Sequence, residues 1–533
     1  VATEIADGTT SVEARHEDVP DRGPDGRPAV GGTASGWRAR WAVWAPGAVF
    51  GAVAGAVLFL LAHRGMPDDS YITLDYARNL ALHGHWGLTQ FRDANTATSP
   101  LNVWLLAAGI LATGGRPVVA AGLVLVLSTA LAGGWAAGLA DALGRRRAVV
   151  AGLVVGLLVT SPIFASVVGM ESFLGAALMV GVARYAAQRR AVAAGVVTGL
   201  AVLCRPDLAV PAVLVLAVLF LGAAPRAPRR MFLAWAVAAV VVLPWHVWSW
   251  FVLGGFVPDT LVIKTGGAFP NGEVFGNGPL FFFDRWPVAM ALISAVVVAG
   301  LGAVIASGLA WARGSGRLAD RVVVACGVAG LAHYAVYAAM GVSSYLWYYA
   351  PSLGLITVCA ALGAAELSGR RVGALTAALA VVAGAGIGLQ TALGVPWPFP
   401  ALFGNWATSS QYLAAGEQLG RAVPAGQSVL APGEIGALAY GCDCDIVDGF
   451  SDHDRLMALV VQREAAAGPV GRLLLRLDTV HADRSPVRPT DHVLRWVAGP
   501  GPGWPTNVPG RGPGRLVLDP PGADAAAVSL NGE

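Results

Sequence analysis

The sequence predicts an all-α polytopic membrane protein carrying a small C-terminal α/β domain. Two observations carry that prediction. Of 533 residues 55% are hydrophobic and only 13% charged, with a mean hydropathy of +0.61, about half the charge of an ordinary soluble domain. The apolar residues also fall in long runs, while the charges gather between them and in the C-terminal quarter. The formal net charge of +3 is too small to imply a nucleic-acid partner; the partner the composition implies is the lipid bilayer.

Residues 1–36 hold seven acids among Gly and Pro, from Glu4 to Asp25, and read as a disordered cytoplasmic tail. Trp41 to Ala62 is too late and too long for a cleaved signal peptide, and Arg38 and Arg40 before it place the N-terminus in the cytoplasm. Further runs at about 117–140, 148–169, 172–187, 191–204, 208–224, 231–253, 287–311, 322–341, 350–366 and 372–394 complete about 11 transmembrane helices within a domain spanning 37–394. Pro100 to Thr113 is apolar but short. Leaving it out of the spans keeps Arg145–Arg147, Arg189–Arg190, Arg229–Arg230, Arg313 and Arg317 on the cytoplasmic side. The first outer loop, 64–116, then carries juxtamembrane helices, and the chain is a multi-pass protein of the plasma membrane. Residues 395–498, with a strand-like run at 427–431 and helical patterns near 411–421 and 453–466, form the extracytoplasmic α/β domain. Residues 499–533 read as a loose Pro/Gly-rich tail.

The strongest local signal follows the first span: Met66-Pro67-Asp68-Asp69-Ser70-Tyr71. Pro67 suits a helix start, where the dipole favours Asp68 and Asp69. The stripe Leu74, Ala77, Leu80 and Ala81 would lay this helix on the outer leaflet. A carboxylate held there meets both a water-soluble hydroxyl and the phosphate of a membrane lipid. Arg205, in a short outer turn, and Lys264, the one lysine in the chain, are the cations singled out on the outer face, with a structural pairing of Arg205 to Asp207 the competing reading for Arg205. Glu171 sits between two apolar runs and must face a cavity or the water interface. Asp259 and the aromatics Tyr345 to Tyr349 lie in outer loops, where a sugar-stacking role competes with an interfacial belt. Asp68, Asp69 and Glu171 are hard oxygen donors, which keeps a divalent cation open. His83 and His85 read as interfacial or acceptor-side groups. Cys442-x-Cys444 leaves a disulfide, half a metal site or neither.

These pieces resemble the GT-C class of membrane glycosyltransferases that use polyprenyl-phosphate sugars, and within it the actinobacterial terminal β-(1→2) arabinofuranosyltransferases. The resemblance rests on Asp68-Asp69-Ser70-Tyr71-Ile72-Thr73 with Tyr76-Ala77-Arg78-Asn79, Thr98-Ser99-Pro100-Leu101, Gly169-Met170-Glu171-Ser172, Arg205-Pro206-Asp207, Pro258-Asp259-Thr260 with Lys264, and Ile435 to Tyr440. The family's Gly after Arg-Pro-Asp is Leu208 here, and its aromatic before Thr98 is Ala97. The resemblance implies a GT-C fold, a polyprenyl-phosphate-linked sugar donor and a cell-envelope glycan acceptor. It implies Asp68, before Asp69, as the catalytic carboxylate, Arg205 and Lys264 on the donor phosphate, and Glu171, Asp207, Asp259, Tyr76 and Arg78 around the substrates.

Overall fold

The computed structural model describes residues 33–221, 227–264, 269, 271–367, 370–448, 453–484 and 489–519. The expected tail at 1–36 therefore falls almost wholly outside the described residues, as does 520–533. The helices are, in order, α1 Thr33–Ala62, α2 Asp68–His83, α3 Pro100–Ala112, α4 Pro117–Ala142, α5 Arg147–Thr160, α6 Pro162–Ala165, α7 Ser172–Ala187, α8 Ala191–Cys204, α9 Ala209–Leu221, α10 Ala227–Val252, α11 Asp259–Lys264 and α12 Gly278–Arg285. They continue with α13 Pro287–Ala312, α14 Leu318–Met340, α15 Ala350–Glu366, α16 Arg370–Thr391, α17 Ser409–Ala422, α18 Gly436–Cys442, α19 His453–Ala466 and α20 Pro469–Asp478.

Every expected span is helical, but the described spans divide by length. Six helices are long and apolar enough to cross a membrane by length and composition, among them α4, α10, α13 and α14, and six more apolar helices have 10–17 residues. The expected run 148–169 is cut after Thr160, where Pro162 restarts the chain as α6. The short Pro100 run is the helix α3, packed between α2 and α4 with Val103, Leu106 and Ile110 fully buried.

With little hydrophobic drive between helices in lipid, close backbone approach holds spans together. Gly47, Gly51 and Gly55, one per turn of α1, meet α4 at Gly133 and Thr129: a Cβ on Gly51 would lie 2.0 Å from the Thr129 carbonyl oxygen. Sequence reading passed over this small-residue stripe. At the end of α15, Glu366 pairs with Arg145 and Arg317, drawing two arginine-bearing turns together. The start of α15, at Tyr349, belongs to the opposite end of the bundle, about 25 Å away by helix rise.

The C-terminal part holds five strands, β1 Ser428–Leu430, β2 Asp445–Val447, β3 His492–Ala498, β4 Trp504–Val508 and β5 Gly512–Asp519, in the order β2-β1-β3-β5-β4. β1 is parallel to both β2 and β3, whereas β5 runs antiparallel to β3 and β4. Residues 504–519, expected in the loose tail from 499, thus belong to the sheet. The glycines that read as looseness supply the turns of a hairpin, with Gly510 at φ 82° and Gly512 at φ 73°. α17 starts on a capping box in which Thr408 and Gln411 satisfy each other's backbone.

α2 is where the two parts meet. Leu74 and Ala77 are fully buried, and α2 packs on α3 and α18, so the stripe expected to lie on lipid faces protein instead. Three contacts bind α2 and the chain flanking it to the C-terminal part: the Ser409 hydroxyl donates to the Met66 carbonyl (2.6 Å), Arg92 makes a two-point pair with Asp445, and Tyr71 meets Tyr440 edge-on. Cys442 and Cys444, at the end of α18, form a disulfide.

Candidate active site

The first turn of α2 is wedged between two turns of chain. On one side the Ser70 hydroxyl donates to the Val168 carbonyl (2.9 Å), beside Gly169, whose φ of 94° and contact with Ser70 and Met66 leave no room for a side chain. On the other side lies the start of α18. Gly436 N–H and Ala437 N–H donate to the two carboxylate oxygens of Asp68 at 2.9 and 2.8 Å. A Cβ on Gly436 would stand 2.2 Å from the Asp68 carbonyl oxygen. Asp68 is 4% exposed; burial, then the charge of Asp69, push its pKa up to about 7 against those N–H donors.

Asp69 is the partly exposed member of the pair. Burial raises its pKa first of all, the Lys264 ammonium draws it back down, and Glu171 and Asp448 add repulsion. Lys264, at the end of α11, sits 4.4 Å from the centroid of the Tyr345 ring and 5.5 Å from that of Trp347, two rings stacked on each other. Tyr345, Trp347 and Tyr348 are half-buried in protein, and Tyr349 is buried with its hydroxyl donating to the Phe275 carbonyl.

Arg205 is placed near this face but is committed. Its guanidinium donates to Glu171 at 2.8 Å and to both oxygens of Asp207 at 3.0 and 2.8 Å, and lies over the Tyr348 ring. Asp207 also accepts from the Tyr337 hydroxyl (2.7 Å) and stands 3.1 Å from His333 Nε2. One guanidinium against two carboxylates, with Arg205 only 5% exposed, leaves no surplus positive charge for a phosphate. The expected donor role of Arg205 gives way to the structural pairing, and Glu171 and Asp207 are its partners rather than open substrate contacts.

Tyr76 and Arg78 are corrected in the same way. Tyr76 is fully buried; its hydroxyl meets Thr96 Oγ1 at 2.7 Å and the Ala94 carbonyl at 3.2 Å. Arg78 pairs with Asp75 at 3.1 Å, donates to the Tyr440 carbonyl and covers the Tyr440 ring. Both fasten the site without facing it. The strand of chain that Tyr76 pins leads on to Lys264: Asn95 Nδ2 donates to the Gly255 and Val257 carbonyls, the Asn95 carbonyl accepts from the buried Asp259 N–H at 2.9 Å, and the Thr260 hydroxyl donates to the Thr96 carbonyl at 2.6 Å. Asp259 therefore opens α11 from inside the protein.

The hard-oxygen set expected for a divalent cation is not assembled, because Asp68 is turned to backbone donors and Glu171 to Arg205. Among the described residues no three His, Cys, Asp or Glu side chains converge as ligands. Asp448, directly after β2, adds its charge to the field at Asp69; its segment matches the family's pattern only loosely. Two groups escaped the sequence reading. Asn95 acts through contacts 154 or more residues away. Glu434 did carry a signal, standing directly before Ile435-Gly436-Ala437; it accepts from the Trp406 N–H and from the Tyr412 hydroxyl, and burial followed by the Asp68 charge pushes it up to about 8.

A bundle of apolar helices with a carboxylate pair heading α2, roofed by an α/β domain, defines a polytopic membrane protein of GT-C fold. Two solved structures of ArnT from Cupriavidus metallidurans, one bound to undecaprenyl phosphate and one in the apo state, share it. Each superposes with a TM-score of 0.53 and 15% sequence identity over 87% of this chain and 93% of ArnT. The likeness is one of fold. No protein-family model and no curated protein sequence matches the chain.

Proposed function

We propose that this chain is a membrane glycosyltransferase that moves a sugar, arabinofuranose, from a polyprenyl-phosphate donor to a cell-envelope glycan on the outer face of the plasma membrane. The observation that carries the reading is Asp69: a largely buried, partly accessible carboxylate of raised basicity beside an ammonium that rests on a stacked Tyr345–Trp347 pair. The shared fold with a protein whose structure holds undecaprenyl phosphate supports the donor class. The motifs that resemble the arabinofuranosyltransferases support the sugar.

In this mechanism Asp69 takes the proton of an acceptor hydroxyl as that oxygen bonds to the anomeric carbon. The bond from that carbon to the phosphate oxygen breaks, and the electron pair leaves with the lipid phosphate, whose growing charge the Lys264 ammonium offsets. Asp68 holds the turn, and Arg205 offsets part of the negative charge of Glu171 and Asp207 beside Asp69.

The test uses the purified protein in nanodiscs with radiolabelled polyprenyl-phospho-arabinofuranose and a short arabinan. Label in the glycan with wild type, lost in a folded Asp69→Asn protein, is the expected result. Transfer from polyprenyl-phospho-mannose alone would replace the sugar, and no transfer from either donor would sink the enzymatic reading.

A further inference from the structure

The helix α20 is built inside out. A helix of a soluble domain turns its apolar stripe inward and its charges to water. In α20 Val470, Leu473, Leu474 and Leu477 form one stripe, and each is more than half exposed. The arginines on the opposite side turn to α19 instead: the Arg472 guanidinium donates to the Glu464 and Ala467 carbonyls, both at 3.2 Å, and Arg476 pairs with the Glu464 carboxylate at 3.2 Å. No residue of α20 is buried against the described chain.

Where α20 sits says what covers that face. Its end is fastened to the last turn of the span α10 and to the chain that leaves it. The Trp250 indole N–H donates to the Leu477 carbonyl at 2.9 Å, the Phe256 and Val257 N–H groups donate to Asp478 at 2.8 and 3.0 Å, and the rings of Trp250 and Phe251 lie 5.0 and 4.7 Å from that of His481. On α10 Val247, Trp248, Phe251 and Val252 are exposed as well, so the apolar surface of the span runs on into Leu477 and Val480. α10 has 26 residues, about 39 Å by helix rise, against about 30 Å of hydrocarbon. Its last turn therefore reaches the headgroup layer, where an amphipathic helix lies flat with its apolar face about 5–10 Å deep. The bilayer that covers α10 covers both faces at once; a second copy of the chain would have to displace lipid from Phe251 and Val252 to reach Leu477.

The α19–α20 hairpin also holds the segment that carries Lys264. Leu456, Met457 and Val460 of α19 pack against Val262 and Ile263 of α11, and the Arg463 guanidinium donates to the Ile263 carbonyl at 3.4 Å. Asp478 holds the two N–H groups just before α11 begins.

We propose that α20 lies in the membrane surface, its leucines among the acyl chains of the leaflet at this end of the bundle, and that through α19 and Asp478 it sets the depth of α11 relative to the lipid phosphates. The use of that depth, to hold Lys264 level with a donor phosphate, rests on the function proposed above; the contact with lipid does not.

The experiment uses the whole protein in phosphatidylcholine nanodiscs, carrying an environment-sensitive fluorophore at Leu474→Cys or, on α17, at Glu417→Cys, with lipids spin-labelled next to the headgroup as quenchers. Both positions are exposed, so the fold tolerates the label. The free cysteines Cys204, Cys326 and Cys359 are buried, and the unsubstituted protein measures any label they take. The expected result is quenching at Leu474 about threefold that at Glu417, reduced to the Glu417 level when Leu473→Gln and Leu477→Gln are added. In transfer assays that double variant should raise KM for the lipid donor about fivefold and leave KM for the acceptor unchanged, whereas loss of folding would move both. Equal quenching at the two positions overturns the membrane contact. Excimer emission from pyrene at Leu474→Cys in nanodiscs holding two copies, without quenching by lipid, overturns it in favour of a second copy. Quenching with both KM values unmoved by the double variant removes the depth-setting role. Quenching at Leu474 in a protein that transfers no sugar leaves the contact standing and removes the proposed reaction; transfer without quenching does the reverse.

Discussion

Asp68 and Asp69 leave the same helical turn toward different company. Asp68 turns to the start of α18, where two backbone N–H groups occupy its oxygens; Asp69 turns to the face shared by Lys264, Glu171 and Asp448. The cations beside them divide likewise, Arg205 being enclosed by two carboxylates and Lys264 resting on aromatic rings. The difference teaches that a charged residue type does not announce its task. Partners do: a group whose hydrogen-bonding capacity is spent on the fold holds it, and a group set in the field of several charges is placed for chemistry.

Replacing each acid by its amide is the strongest way to break that comparison. Asp69→Asn should lower kcat/KM by about 10²–10⁴ while leaving the thermal midpoint unchanged or raised, because burial and the charges of Glu171 and Asp448 outweigh Lys264 in disfavouring its ionised form in the fold. Asp68→Asn should instead destabilise by about 1–3 kcal/mol, since its amide N–H₂ confronts the Gly436 and Ala437 donors. A stable Asp68→Asn protein without activity beside an active Asp69→Asn protein would reverse the assignment. Asp68 also predicts a slope with pH. Its pKa of about 7 in the fold stands above the value near 4 of an unfolded chain. The folded state thus holds the proton more tightly, and the stability this gives is full below about pH 4 and lost as pH rises through 7. Thermal midpoints at pH 5 and pH 8 should lie closer together in Asp68→Asn than in wild type.

Arg205→Met tests the other side of the comparison and should cost about 3–5 kcal/mol, leaving Glu171 and Asp207 buried without their cation. A fully stable Arg205→Met protein that fails only in donor binding would return Arg205 to the phosphate. Lys264→Met should leave stability close to wild type but lower kcat by about 10²–10³. It should also move the acid limb of the pH–rate profile upward. Asp69 must be ionised to take a proton, its pKa is already raised by burial, and Lys264 is the influence that lowers it; without the ammonium a higher pH is needed to reach the same ionised fraction. An unmoved limb would place Lys264 away from the base.

Much of this was legible in the chain. Composition and apolar runs gave the bundle, the acid pair after the first long run marked α2, and 427–431 marked β1, because those features are local. What could not be read is which neighbour each charge meets. Arg205 and Asp207 are two residues apart, and the pairing was one of the readings, but the third member, Glu171, comes from the start of α7. The bond from Asp68 to Gly436 joins residues 368 positions apart. Tyr76 and Arg78 were named as site residues by the resemblance alone, through the motif that follows the acids; a helix buried on several sides gives such positions to other neighbours. The reading of 499–519 failed because glycine and proline mark hairpin turns as readily as loose chain.

The smallest expected effect sharpens the comparison most finely. Arg78 lies on the fold-holding side of α2, yet its side chain is 21% exposed and its ion pair with Asp75 spans one helical turn. Its hold on α18 is a single hydrogen bond to the Tyr440 carbonyl, 3.0 Å, and the guanidinium over the Tyr440 ring. Burial pushes Asp75 toward its neutral form, which needs no cation, so Arg78→Ala should cost about 1–2 kcal/mol, the sum expected of one charged hydrogen bond and a partly exposed cation–π contact. If α18 is the clamp that sets Asp68, the loss should fall on it first. Hydrogen exchange at the Gly436 and Ala437 amides should quicken in Arg78→Ala while the amides of α4 and α7 keep their protection. Uniform quickening throughout the bundle would mean that α18 and the spans open as one unit, and that the division of α2 into a holding side and a working side has no energetic counterpart.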